Sequence, residues 1–155
     1  MSFLFGPILL ARDVETAGLA ARIAPLLRAG DCLLLEGPIG AGKSTFARAL
    51  IRARLALPDL EVPSPTFTLV QTYDAGGVEV WHCDLYRLTH PDEAVELGLD
   101  AALDEAICLI EWPDRLGSLV PATALTLTFA AGDGGHILHI SGPAAWADRL
   151  VPALD

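Results

Sequence analysis

The segment Gly37-Pro38-Ile39-Gly40-Ala41-Gly42-Lys43-Ser44 fits the pattern G-x-x-x-x-G-K-[ST], and no other feature constrains this chain as strongly. It follows a strand-like run, Asp31 to Glu36, centred on Cys-Leu-Leu-Leu, and precedes an Ala-, Arg- and Leu-rich stretch that reads as helix to about Leu55. That strand–loop–helix context separates a phosphate loop from an ordinary glycine-rich turn. Glycines let successive backbone N–H groups turn inward and approach an anion with no Cβ in the way. The helix beginning near Lys43 aims the positive end of its dipole at the same point. The loop from Gly37 to Thr45 is therefore expected to hold the phosphates of ATP with a magnesium ion. Backbone contacts are expected from Gly37, Ile39, Gly40, Ala41, Gly42 and Thr45. Lys43 would reach the β- and γ-phosphates, and the Ser44 hydroxyl would ligate the metal.

Charge narrows the partners. The net charge is −10, which points away from independent binding to nucleic acid, because that depends on Lys and Arg neutralising phosphates. The chain carries nine Arg and one Lys, and that lysine is Lys43. Where basic residues run so strongly to Arg, the remaining Lys suggests a position needing a compact ammonium rather than a planar fork. Asn is absent, so the N-K-x-D motif that reads guanine cannot be present and a GTPase is excluded. Cys32, Cys83 and Cys108 each sit in an apolar run without metal-type spacing, which predicts three buried thiols and suits a reducing cytoplasm. The apolar stretch from Phe3 to Ala11 is interrupted by Gly6-Pro7 and stopped by Arg12. It is too short to span a bilayer and lacks the basic flank of a secretory signal.

At 155 residues one domain over 1–155 is expected, without repeats or long linkers. Ile8 to Leu10 reads as a first strand, and Asp13 as the cap of a helix reaching about Arg28, with Pro25 unfavourable to its last turns. Thr66 to Tyr73 and Val78 to Asp84 flank Ala75-Gly76-Gly77 as a hairpin. Pro91-Asp92-Glu93 opens a short helix, and Ala106 to Glu111 is a buried strand. Residues 124–130 and 136–141 form a second hairpin around Gly132-Asp133-Gly134-Gly135, and Ala144 to Leu150 a last helix. Alternating helices and strands predict an α/β fold of the P-loop type. It has three layers, α/β/α, around a mixed, mostly parallel sheet with two β-hairpins.

A phosphate-loop site also needs a carboxylate at the end of a neighbouring strand, to hold metal or orient water. Asp84 and Glu111 each close a strand-like run, and strand C-termini face the ligand crevice in open α/β sheets. Ser64-Pro65-Thr66-Phe67 offers hydroxyls at a stiffened position, either as a γ-phosphate-sensing switch or as a simple turn before a strand. His82 shares a strand face with Asp84 and reads as a structural histidine; His90, His136 and His139 form no ligand cluster. Arg48, Arg52 and Arg54 read as a solvated basic strip, with docking to a partner as the alternative, and Trp112 as packing in the core or stacking near the site.

Taken together, Gly37 to Thr45, Ser64-Pro-Thr-Phe67, His82-Cys-Asp-Leu-Tyr-Arg87, Glu96-Leu-Gly-Leu99 and Ile110-Glu-Trp-Pro113 closely resemble the TsaE (YjeE) family. These are bacterial P-loop ATPases needed to make N6-threonylcarbamoyladenosine (t6A) in tRNA. The motifs occur in family order across roughly two-thirds of the chain. The resemblance implies that Lys43 and Ser44 bind phosphate and magnesium, that Glu111 completes the metal site, and that Asp84 is the switch carboxylate important for hydrolysis. Ser64, Pro65 and Thr66 would form a switch, Trp112 would match a functionally important tryptophan, and Asp13 and Thr16 would lie near the base. The implied partners are TsaD and TsaB homologues, through which tRNA is reached indirectly. Pro38 stands where the family usually has an acidic residue, Ser44 where it has Thr, and Gly134-Gly135-His136 where it often has a basic residue. The rival reading is a small P-loop kinase of a nucleoside or other small molecule. Such kinases usually need a mobile lid with several arginines, and only Arg87 and Arg115 lie in the relevant middle of the chain.

Overall fold

The computed structural model describes residues 2–154. In chain order it forms β1 (Ser2–Leu10), α1 (Asp13–Ile23), a 3-10 turn (Ala24–Leu26), β2 (Cys32–Glu36), α2 (Lys43–Leu55), β3 (Val70–Asp74) and β4 (Glu79–Asp84). Then come α3 (Asp92–Glu96), α4 (Leu99–Glu105), β5 (Ile107–Glu111), a second 3-10 segment (Pro113–Leu119), β6 (Leu125–Gly132), β7 (Gly135–Pro143) and α5 (Ala145–Leu154). All seven strands share one sheet in the order β1-β7-β6-β2-β5-β4-β3. The four inner strands β6, β2, β5 and β4 run parallel, and antiparallel pairs close both edges.

The inner strands read as continuous apolar runs because both sheet faces are covered. Leu33, Leu35, Ile107 and Leu109 point to one face and pack with Leu19 and Ile23 of α1, Phe46 and Leu50 of α2, and Trp146 and Leu150 of α5. Cys32, Leu34, Cys108 and Ile110 point to the other and pack with Ala94 of α3, with Leu99, Ala102 and Leu103 of α4, and with Leu116. This is the expected three-layer α/β/α arrangement, with hairpins β3–β4 and β6–β7. All three cysteines are buried. No helix among the described residues is long and apolar enough to cross a membrane.

Several boundaries differ from the sequence expectations, each for a physical reason. β1 begins at Ser2 rather than Ile8, because β7 pairs with it from Ser2↔Pro143 to Leu10↔His136 and the Gly6-Pro7 break falls in a register shift between Phe5 and Ile8. α1 ends at Ile23 rather than near Arg28, since Pro25 lacks the N–H that a continuing helix needs and the chain tightens into the 3-10 turn. Asp13 lies in the first turn rather than at the cap, which is Arg12 with no side-chain cap bond. Residues 66–69 are turns, not strand, with Leu69 N–H donating to the Pro65 carbonyl at 2.7 Å. Gly98, at φ 82°, splits the helical stretch after Pro91 into α3 and α4. The carboxylate of Glu93 accepts from the Thr89 hydroxyl and from the N–H groups of Thr89 and His90, and these bonds, the hydroxyl's first, hold its pKa low.

The basic strip after the loop is not a solvated face. Arg52 donates to the Leu60 carbonyl at 2.8 Å, and Arg54 to the carbonyls of Ala24 and Leu27 at 2.9 and 2.8 Å. These guanidiniums tie the far end of α2 to two neighbouring turns. A second clamp seats α5: Arg149 forks onto Asp31 at 2.6 and 3.2 Å and stacks 4.2 Å from the Trp146 ring centroid.

Two outcomes follow from this core. Leu50→Ala, which empties a fully buried position of α2, is expected to cost about 2–5 kcal/mol in urea unfolding. Burial pushes the Cys108 thiol up to about 12 and raises Cys32 and Cys83 as well, so all three stay protonated at pH 8. A thiol-reactive dye should therefore label none of them in the native protein and all three in denaturant.

Candidate functional site

β2 ends at Glu36, and the chain turns at once through the glycine loop into α2. Gly37 has φ 139°, and a Cβ there would collide with the Phe129 carbonyl of β6, so the loop leaves the sheet through a gap only glycine fits. Gly42 has φ 104° and forms the N-cap of α2 without any side-chain cap bond. A Cβ on it would sit 3.1 Å from Nδ1 of His136. The first N–H groups of α2 are thus left for an anion, which a helix N-terminus favours.

A cavity of about 480 Å³ opens over this terminus. Ile39, Gly40, Gly42, Lys43, Ser44 and Thr45 form its floor. Ser64, Thr66, Asp84, Tyr86, Glu111, Trp112 and His136 form its walls. Sheet register explains the convergence: Leu35 of β2 pairs with Glu111 of β5, and Glu111 pairs with Asp84 of β4. Both carboxylates therefore stand at adjacent strand ends beside the loop, nearly sequestered from solvent at 3% and 9% exposure.

Most of the wall residues have defined partners. Glu111 Oε1 accepts from the Ser44 hydroxyl at 3.2 Å, and Oε2 lies 2.7 Å from Nε2 of His82. Asp84 Oδ1 accepts from the Tyr86 N–H at 3.2 Å, and Oδ2 meets the Thr66 hydroxyl at 3.5 Å, itself 2.7 Å from Ser64 Oγ. The Lys43 ammonium donates to the Gly37 carbonyl at 2.5 Å and lies 4.1 Å from the Trp112 ring centroid. Trp112 holds a left-handed backbone at φ 59°, unusual for so large a residue, with Tyr86 against its ring at 4.9 Å. Burial lowers the Lys43 pKa, while Glu111, Asp84 and Asp114 oppose that shift.

Among the described residues no three His, Cys, Asp or Glu side chains could together hold a metal ion. The Ser44 hydroxyl and Glu111 carboxylate nevertheless stand side by side as hard oxygen donors. Magnesium typically takes one or two protein oxygens and completes its shell with phosphate and water. The donor set suits an ion that arrives with a nucleotide.

Of the residues singled out in the sequence, Ile39, Gly40, Gly42, Lys43, Ser44, Thr45, Ser64, Thr66, Asp84, Glu111 and Trp112 meet at the cavity. Gly37 contributes its carbonyl to Lys43, Ala41 is buried beneath the loop, and Pro65 is buried behind Ser64 and Thr66. Asp13 and Thr16 lie outside the cavity lining. The pairing Leu10↔His136 still sets the start of α1 next to its His136 wall. Sequence reasoning gave no role to Tyr86, His136 or the His82–Glu111 contact. Tyr86 could have been sought two residues beyond Asp84, whereas His136 comes from a distant hairpin that no local pattern connects to the loop.

The glycine geometry is testable by urea unfolding. Gly37→Ala combines a positive φ with a backbone collision and should destabilise by more than the roughly 1–3 kcal/mol of conformational strain alone. Gly40→Ala, at φ 82° with open space around it, should cost less.

Comparison with known proteins gives a consistent picture. Residues 10–136 match the family described as "Threonylcarbamoyl adenosine biosynthesis protein TsaE". The chain is 38% identical over 121 residues to the tRNA threonylcarbamoyladenosine biosynthesis protein TsaE of Rickettsia bellii, covering 78% of this chain and 83% of that protein. It is 36% identical over 121 residues to the protein of the same name from Bacillus subtilis, covering 77% and 74%. The crystal structure of Bacillus subtilis YdiB superposes with a TM-score of 0.71 at 24% identity, over 99% of this chain and 93% of that one, which establishes the shared fold. The matched span runs from the end of β1 through the glycine loop and both strand-end carboxylates to His136, and this chain belongs to the TsaE family.

Proposed function

We propose that this protein binds ATP with magnesium and hydrolyses it as the accessory ATPase of the t6A tRNA-modification machinery, acting on a complex of TsaD and TsaB homologues. One observation carries the nucleotide reading: Lys43, Ser44 and Glu111 converge at the uncapped N-terminus of α2, with Asp84 on the adjoining strand. Family membership carries the biological setting.

In this reading Lys43 leaves the Gly37 carbonyl for the β- and γ-phosphate oxygens, exchanging a neutral acceptor for an anionic one. The Gly40 to Thr45 backbone cradles the phosphates, and Ile39 lies at their outer side. Ser44 and Glu111 would hold magnesium, which would supply positive charge to offset that of the phosphates. Asp84 orients the attacking water and takes its proton. Thr66 and Ser64 extend from Asp84 to the segment around Pro65, so a change at the γ-phosphate is felt outside the cavity. Trp112, braced by Tyr86, packs against Lys43 and senses its movement. The base is assigned to the rim near His136 and the start of α1, beside the exposed Asp13, with Thr16 buried beneath it.

The acidic charge suits a protein that reaches tRNA only through its partners. Buried free thiols suit a cytoplasmic setting. Against a kinase, Arg87 sits 4.9 Å from the exposed Phe67 ring and Arg115 donates to the Leu88 carbonyl, and neither lines the cavity.

Lys43→Ala and Glu111→Ala are each expected to lower ATP turnover by about 100-fold or more, measured as phosphate release with the partner proteins present. The protein alone should hydrolyse ATP slowly, because its switch residues await a partner. Reconstitution with TsaD and TsaB homologues should raise t6A in tRNA only when this protein is added. No increase, or rapid phosphorylation of a nucleoside or sugar by the pure protein, would overturn the proposal.

A further inference from the structure

Glu111 is almost completely buried, and the described structure gives its carboxylate two side-chain partners. One is the Ser44 hydroxyl, on the cavity side. The other is His82, fully buried on β4 on the sheet face that α2 covers, whose Nε2 lies 2.7 Å from Glu111 Oε2. An ionised carboxylate only accepts hydrogen bonds, so Nε2 carries the hydrogen. The other ring nitrogen, Nδ1, is buried and has no hydrogen-bond partner among the described residues. The imidazole thus spends its one polar contact on Glu111. A side chain present only to fill space would not need that nitrogen aimed at that oxygen.

The topology makes the contact possible. His82 pairs with Leu109 and Asp84 with Glu111 across the β4–β5 ladder, so His82 sits one pleat below the two carboxylates on their own face. From there it holds Oε2 from beneath and leaves Oε1 directed at Ser44. Without that donor, the carboxylate could rotate and present its oxygens to the cavity in more than one way.

We propose that His82 is a positioning residue: its Nε2–H fixes the Glu111 carboxylate so that Oε1 and Ser44 Oγ together receive magnesium with its nucleotide. The inference rests on the reading of Glu111 as a metal ligand. It predicts that loss of His82 is felt in the metal requirement, and not in the grip of the loop on phosphates.

The test uses the full chain and a fluorescent ADP analogue, with magnesium titrated at saturating nucleotide and nucleotide affinity measured separately in EDTA. His82→Met fills the space without a donor, whereas His82→Gln keeps an N–H of similar reach. His82→Met should raise the magnesium concentration required by about 10–100-fold, the usual effect of losing a residue that orients a metal ligand. His82→Gln should recover most of it, and affinity in EDTA should be unchanged for both. In a Glu111→Ala background, His82→Met should add nothing further. Wild-type magnesium dependence in a folded His82→Met protein, or equal losses in the Met and Gln variants, overturns the proposal. If Glu111→Ala also leaves the magnesium dependence intact, the metal reading of Glu111 falls with it; if Glu111→Ala weakens it, only the role of His82 falls. A measurement on the unsubstituted protein guards against a variant that fails to fold. NMR should find a slowly exchanging His82 Nε2–H proton that shifts when magnesium joins the ADP complex. No protected proton at that nitrogen would overturn the assignment.

Discussion

Parallel pairing of β2 with β5, and of β5 with β4, fixes where the two carboxylates of this site stand. Because the strands run the same way, their C-terminal ends finish on one edge of the sheet. The register sets Leu35, Glu111 and Asp84 side by side there, one residue before the chain leaves β2 for the glycine loop. A slip by one residue in either ladder would turn a carboxylate to the opposite sheet face, since side chains alternate along a strand. The apolar residues beneath hold that register: Leu33, Leu35, Ile107 and Leu109 are locked under α1 and α2, and Cys108 and Ile110 under α4. The chemistry of the cavity therefore depends on packing several residues below it.

Above this frame, the loop is held in a state of unmet demand. α2 begins without a side-chain cap, and its lone ammonium is drawn inward to a carbonyl of the loop and to an aromatic face. Burial disfavours that charge while three carboxylates favour it. A phosphate entering the cavity meets donors already oriented, so little reorganisation is needed when it arrives. The left-handed backbone at Trp112 belongs to the same arrangement, because it turns the indole back over Lys43 directly after Glu111.

Much of this was legible in the sequence where function is local. The eight residues from Gly37 to Ser44 state their own geometry, since glycine spacing and the following lysine permit few other uses. Asp84 and Glu111 could be picked out because each ends an apolar strand run. What stayed hidden depends on partners far away in the chain. β1 gains its first half from β7, more than a hundred residues later, and His136 reaches the cavity by that same pairing. Arg52 and Arg54 look like any charged helix face until the carbonyls of Leu60, Ala24 and Leu27 are placed against them. The turn at residues 66–69 resembles a strand because threonine and phenylalanine favour extended structure, and the bond from Leu69 to Pro65 overrides that preference.

The solitary lysine has a consequence for the rest of the molecule. Every other basic side chain of the protein is a guanidinium or an imidazole. Reagents or enzymes that attack side-chain amines, whether acyl donors, crosslinkers or conjugating systems, find no target on the outer surface. Lys43 is their sole side-chain substrate and is only 5% exposed, at the floor of the cavity. Side-chain amine chemistry on this protein is therefore confined to one buried nitrogen, and whatever reaches it has entered the site where the nucleotide is proposed to bind.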